Sequence, residues 1–300
     1  MLTPKSREIF GIRIDFGFSM QDVLAYIENN LLTDDKSHYI CTTNSEFLME
    51  ASENDAFKEI INGAALSVPD STGVLATNEF LKRVEFLKRE GKYSSFKGLV
   101  EGVKLGCSIL TNSIDLGDRI TGVELVRQVC KLSHEKGYTI FLMGGWPKSW
   151  MGRSLNTNRD IATETADMFR KEYPNVNIIG SSSQYSYKSS NDTSAVSYIK
   201  KCLSDHRLEK LDFLFAAFNQ YQQESWIVRN MKKIPARVSV GVGRSYNYYS
   251  NSLNVPPKCF TKYHLDWLYS LLNEPWRLAR VLNAFPGLPL KVYRYSLKNN

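Results

Sequence analysis

The residues able to bind or react fall into five short clusters. Thr42, Thr43 and Asn44 close HYICTTN, Pro69 and Asp70 close SVPD, and Gly144 and Gly145 close IFLMGG. Asn219 to Glu224 follow LDFLFAAF, and Gly243 to Asn247 follow ARVSVGV. Hydroxyl and amide side chains such as Thr42 and Asn44 can read a sugar or a phosphate, and a glycine pair lets the backbone approach a ligand closely. Each also has a plainer reading from local sequence. Asp70 reads as the N-cap of a helix STGVLATNEFL, Asn44 as a turn former, and Gln223 and Glu224 as an ordinary first helical turn. Metal chemistry is disfavoured: the four histidines lie far apart, at 38, 134, 206 and 264, and no D-x-D or H-x-x-x-H occurs. Five cysteines, scattered and never as C-x-x-C, suggest neither zinc nor a disulfide framework and fit a reducing cytosol.

The elements that must position these clusters are legible as a rhythm. HYICTT, AALSV, YTIFLMGG, VNIIG, LDFLFAAF and ARVSVGVG are short, largely apolar runs, separated mainly by amphipathic segments such as SEFLMEASENDAFKEIINGA and TGVELVRQVCKLSHEKG. Strand alternating with helix predicts a Rossmann-like α/β fold, a mostly parallel sheet with helices on both faces. EIFGIRIDFG predicts a hairpin ahead of it, and MQDVLAYIENNLL a helix. All five clusters then fall at carboxyl ends of strands, where open α/β sheets form their ligand crevice, so they are expected to outline one site.

Two stretches break the rhythm. Residues 81 to 118 carry basic residues and then an apolar patch, GLVEGVKLGCSIL. Because that patch follows a basic stretch, residues 86 to 112 are expected to form a second membrane-contacting element beside the one in the tail. Residues 255 to 300 form a basic, aromatic appendage with seven Lys or Arg against two acids, and with Phe260, Tyr263, Trp267, Tyr269, Trp276, Phe285, Tyr293 and Tyr295 interleaved. Such a composition suits a lipid headgroup layer, with the docking of a terminal helix as the plainer reading. The net charge of +7 calls for an anionic partner without distinguishing phosphate substrate, acidic lipid or nucleic acid. No nucleic-acid-binding signature accompanies it, and that class ranks lowest. No run of about 18 apolar residues is present, and the first residues lack a signal-peptide core.

At the level of whole motifs the chain resembles the WecG/TagA/CpsF glycosyltransferase family. The resemblance rests on TTNSEFLMEA (42 to 51), SVPDSTGV (67 to 74), DRITGVEL (118 to 125), IFLMGG (140 to 145), QQESWI (222 to 227), VGVG (240 to 243) and HLDWLYSLLNEPWRLAR (264 to 280). It implies a domain over 1 to 254, with an inserted segment at about 81 to 118, and a helical appendage over 255 to 300. It also implies a metal-independent, inverting enzyme without a cofactor. Such an enzyme takes a nucleotide sugar (a UDP-sugar) as donor and a lipid-linked, polyprenyl-diphosphate acceptor, at the inner face of the membrane, in cell-surface polysaccharide synthesis. Homo-oligomerisation stays open.

By the same resemblance Asp70 becomes the candidate general base, since inverting transfer needs one carboxylate beside the acceptor hydroxyl. Thr42, Asn44, Gln223 and Glu224 become substrate contacts, and Arg119 a holder of diphosphate or of Asp70. Arg277 and Arg280 become cations for the departing nucleotide, with two solvated or lipid-facing arginines as the plainer reading. Against the family pattern, Asn219-Gln220-Tyr221-Gln222 replaces a turn and a cation, Asn247 an aspartate, and Val255 and Ser270 two arginines. Arg244 stands where glycine is usual and is expected to restore one charge. The rival within the same fold is a non-catalytic sugar-nucleotide binding protein.

Overall fold

The computed structural model describes residues 4–146, 158–263 and 265–298. The described residues form eight strands: β1 (Lys5–Ile9), β2 (Ile12–Phe16), β3 (His38–Thr43), β4 (Leu66–Pro69), β5 (Thr139–Gly144), β6 (Asn177–Ser182), β7 (Leu211–Ala217) and β8 (Ala236–Gly241). The helices of the first half are α1 (Met20–Tyr26), α2 (Ser45–Ala51), α3 (Asp55–Asn62), α4 (Thr72–Arg89), α5 (Ser95–Leu110) and α6 (Gly122–Lys136). Those of the second half are α7 (Ile161–Glu172), α8 (Asp192–Asp205), α9 (Gln222–Asn230) and α10 (Ser245–Tyr249). The appendage adds α11 (Lys258–Lys262), α12 (Asp266–Asn273), α13 (Leu278–Leu282) and α14 (Leu288–Lys298).

Strands β3 to β8 build one six-stranded sheet in the order β4-β3-β8-β7-β5-β6, every pairing parallel. Both faces are covered, so successive strand residues are buried on opposite sides. Phe213, Phe215, Ile140 and Leu142 enter one core cluster with α6 and α7, whereas Leu214, Ala216, Phe141 and Met143 enter the other. This is why the strands read as continuous apolar runs rather than alternating ones.

The hairpin β1–β2 turns through Phe10 and Gly11, both at positive φ, and docks beside β4 through a buried acid. Asp15 accepts from the Ser67 amide at 2.8 Å and from the Ser6 hydroxyl at 2.6 Å. The sheet edge at β4 is thereby covered.

The strand order sets where a ligand can enter. The chain leaves β5 towards β6 and leaves β7 in the opposite direction, towards β8, so the connections diverge between β5 and β7. Such a divergence opens a crevice at the carboxyl ends of the two strands.

The segment 81 to 118 is helical for most of its length. Helix α4 runs on to Arg89, and α5 returns to pack on α4 and α14, burying Leu105 and Gly98. The appendage is divided in its surroundings: Leu288 and Val292 of α14 belong to a main core cluster, and Tyr295 meets Phe10 edge-on at 5.1 Å, while Trp267 and Phe285 are exposed. Among the described residues no helix is long and apolar enough to cross a membrane.

Candidate active site

Asp70 is the first residue beyond β4, and two backbone contacts fix its surroundings. Its amide donates to the Thr43 carbonyl at 2.8 Å, extending the β3–β4 ladder by one residue. The returning chain donates from the Ile120 amide to the Pro69 carbonyl at 2.9 Å, which sets Arg119 and the N-terminus of α6 beside the Asp70 carboxyl. Gly122 packs closely here: a Cβ would sit 3.3 Å from the Ser245 hydroxyl and 3.5 Å from the Val242 carbonyl oxygen, so a larger residue would need the Ser245 side chain to give slightly.

Asp70 does not cap α4. Ser71 does, accepting from the Val74 amide, so the Asp70 carboxyl is left for other work. Burial pushes it up to about 7, against the opposing pull of the Arg119 guanidinium and of the Gly122 amide that donates to it. A carboxyl so placed can take up a proton near neutral pH.

Asn44 is not a turn residue but the N-cap of α2, accepting from the amides of Glu46 and Phe47 at 2.9 and 3.1 Å. The starts of α2 and α4 lie together, with the Ser45 and Ser71 hydroxyls 3.0 Å apart and Gly73 giving the room they need. Thr42 is buried and donates to the Gly241 carbonyl at 3.3 Å, which links β3 to the end of β8.

Gln223 and Glu224 lie at the start of α9 and are buried. Gln223 donates to Glu224 Oε1 at 2.6 Å, and its carbonyl oxygen accepts from the Gly243 amide at 2.8 Å. Gly241 leaves space for them, since a Cβ there would lie 2.4 Å from Glu224 Oε1. Burial raises the Glu224 carboxyl to about 7, opposed by the Gln223 amide and by the backbone amides of Glu224 and Tyr221. The pair therefore ties α9 to the loop after β8 from behind the crevice.

The turn expected to be lost in Asn219-Gln220-Tyr221-Gln222 is kept. Gln223 still donates to the Asn219 carbonyl at 3.0 Å, with Tyr221 at φ 65°, a conformation unusual for a residue with a side chain. Its ring lies edge-on to Phe57 at 5.1 Å, and that packing holds the residue there.

Three arginines close the other side. Arg280 donates to Glu46 at 2.9 Å, Arg277 reaches Glu46 at 3.4 Å and Glu274 at 3.3 Å, and Arg244 pairs with Glu274. Arg277 and Arg280 are thus neither merely solvated nor simply turned to lipid. Burial pulls the Arg244 guanidinium down to about 10, with Arg277 beside it adding to the effect, and burial lowers Arg277 too. Among the described residues three guanidinium groups share two carboxylates, an excess of positive charge at the carboxyl edge. Glu46 and Glu274 lie within TTNSEFLMEA and HLDWLYSLLNEPWRLAR but are not singled out there; the signal for Glu46 was its place in the first turn after a capping asparagine.

Gly144 and Gly145 stand at the divergence point, with φ of 89° and 83°. The Gly145 amide donates to the Ala217 carbonyl at 2.7 Å, and a Cβ on Gly144 would meet that oxygen at 2.7 Å. Gly145 faces Tyr246 of α10, and Asn247 donates to the Trp146 carbonyl at 3.3 Å. Residues 147–157, which follow, lie outside the described residues. Beyond Asp70 a cavity of about 550 Å³ is lined by Thr72, Leu75, the stretch 112 to 117, Arg119 and, from the appendage, Thr261.

Asp70, Thr42, Asn44, Arg119, Gln223 and Glu224 therefore gather at the ends of β4, β3 and β8. Arg244, Arg277 and Arg280 reach that rim through α2, and the glycine pair reaches it through α10. The profile of the glycosyl transferase WecG/TagA/CpsF family matches residues 7–91 and 100–300. The chain belongs to this family. Residues 92–99, at the α4–α5 turn, are the internal stretch left unmatched.

Curated relatives agree with that membership. The chain is 23% identical over 272 residues to an N-acetylglucosaminyldiphosphoundecaprenol N-acetyl-beta-D-mannosaminyltransferase of Bacillus spizizenii, covering 90% of this chain and 85% of that protein. It is 24% identical over 258 residues to the protein of the same name from Staphylococcus aureus (strain MW2), covering 86% and 79%. This WecG/TagA/CpsF member is a glycosyltransferase.

Proposed function

We propose that the protein transfers a hexose, N-acetylmannosamine-like, glucose or uronic acid, from a UDP-sugar to a saccharide on polyprenyl diphosphate in surface-polymer assembly. The reaction runs at the inner face of the membrane and inverts the anomeric centre. The acceptor class follows the relatives' names, which specify N-acetylglucosaminyldiphosphoundecaprenol as their substrate.

The observation that carries the reading is the Asp70 carboxyl, raised to about 7 and held between Arg119 and the Gly122 amide at the end of β4. In the reaction Asp70 takes the proton of the acceptor hydroxyl while that oxygen bonds to the anomeric carbon. The bond from that carbon to the diphosphate oxygen breaks on the opposite face, and UDP leaves with the electron pair. Arg277, Arg280 and Arg244 meet the charge that develops, so the protein itself supplies the cations and no metal is assigned to the step. Thr42, Gln223 and Glu224, being buried, hold the crevice in shape, and Asn44 fixes the helix that carries Glu46.

Replacing Asp70 with Asn tests the assignment. Turnover should fall by about 10²–10⁴-fold, while the thermal shift given by UDP or a UDP-sugar is kept. A variant as active as the parent would remove Asp70 from the mechanism. A parent chain that binds donor but turns over no lipid-linked acceptor would instead be a binding protein of the same fold.

A further inference from the structure

Helix α5 carries its apolar residues outward. Phe96, Leu99, Val103 and Leu110 are 74%, 52%, 60% and 57% exposed, although α5 packs its other side on α4 and α14. At about 100° per residue these four fall on one face together with Val100, Gly106 and Cys107. That face, roughly a third of the circumference, holds no charged or amide side chain. The side turned inward buries Leu105 in the core, with Ile109 packed against it, while Gly98 lies against the Tyr93 ring and Glu101 pairs with Arg83 at 3.5 Å. Exposed lysines border the outer face on one flank, Lys97 and Lys104 within the helix and Lys92 just before it. Beyond Leu110 the chain passes directly into residues 112 to 117, which line the cavity next to Asp70.

We propose that the outer face of α5 lies in the headgroup layer of an anionic bilayer and holds the cavity mouth at the membrane surface, as a contact separate from the appendage. An exposed apolar face of this width is unusual on a soluble surface and marks an interaction site. Lysines along its border match anionic phospholipid, in the manner of an in-plane amphipathic helix. The continuity of α5 with the cavity wall gives the contact its purpose: a lipid-carried substrate would meet the cavity where α5 meets the membrane. That purpose rests on the function proposed above; the surface itself does not.

The test is the partition of the purified full-length chain onto vesicles of phosphatidylglycerol and phosphatidylcholine, with no substrate present. Replacing Phe96, Leu99 and Val103 together with Ser should weaken partition at least tenfold. Because those side chains are exposed, the melting temperature and the thermal shift with UDP-sugar should stay unchanged. Replacing Lys92, Lys97 and Lys104 with Gln should weaken binding several-fold on anionic vesicles and leave the neutral ones unaffected. Unaltered partition of the serine variant would overturn the proposal. So would a serine variant that changes from dimer to monomer in sedimentation velocity while still binding vesicles, since the face would then belong to a second copy. Loss of partition in a chain that transfers no sugar would refute the proposed function and leave this surface standing.

Discussion

Asp70 and Glu224 are both carboxyls raised to about 7, with opposite consequences for function. Under the proposed mechanism Asp70, beside the cavity, works in its ionised form, so kcat/KM should rise with pH through about 7 and level off above it. The rising limb should vanish in the residual activity of Asp70→Asn; persistence of the same limb would assign the proton transfer elsewhere. Glu224 is buried behind the site and acts on stability. Its folded value lies above its ordinary 4.5, so between about 4.5 and 7 the folded state keeps a proton that the unfolded chain has released. Stability attributable to it is therefore full at acid pH and lost as pH rises to about 7, by at most about 3 kcal/mol at 1.36 kcal/mol per unit. Glu224→Gln should melt higher than the parent at pH 8 and show a shallower fall in melting temperature from pH 5 to pH 8. An unchanged slope would show that the charge is accommodated.

At the scale of elements, the site is built from the starts of helices rather than from strand residues alone. Asn44, Ser71 and Thr121 cap α2, α4 and α6, and each cap places its neighbour: Glu46 under two arginines, Asp70 at the rim, Gly122 against the carboxyl. Asn44→Ala removes the acceptor for two amides and should cost about 1 kcal/mol of stability. It should also loosen Glu46, and with it Arg277 and Arg280, so donor affinity should fall along with melting temperature in a calorimetric titration. Arg280→Ala, which leaves the cap alone, should weaken donor binding at least several-fold at low salt while hardly altering the melt. Equal donor affinity in both variants and the parent would separate the arginines from the nucleotide.

At the scale of the whole molecule, the appendage is at once a cover for the site and part of the core. Its middle supplies Arg277 and Arg280, its exposed Trp267 and Phe285 point away, and α14 buries Leu288 and Val292 against the body. Truncation after residue 254 should therefore lower the melting temperature by several degrees as well as abolish turnover; a truncated chain melting like the parent would mean that α14 adds nothing to the core. The basic charge and the outward face of α5 belong to the same scale, since both matter only when the entire chain meets a surface.

Much of this was written into the sequence. Apolar runs alternating with amphipathic segments determined the parallel sheet, because a strand covered on both faces cannot be built from polar residues. The same pattern placed all five clusters at carboxyl ends, since the polar and glycine-rich residues had nowhere else to interrupt the rhythm. Periodicity did not reveal that Ser71 rather than Asp70 caps α4, because two adjacent residues of equal capping ability differ only in the backbone angles that the packed chain imposes. Nor did it reveal that the Asn219–Gln222 turn survives, because the contact that holds Tyr221 is a ring on α3, far away in sequence. The partners of the arginines, Glu46 and Glu274, and the bridge from Gln223 to Gly243 were decided by tertiary structure alone. Apart from the local Glu274–Arg277 pair, three residues apart on the chain, they join residues 20 to about 230 positions apart, and only the closing of the sheet brings such side chains within reach of one another.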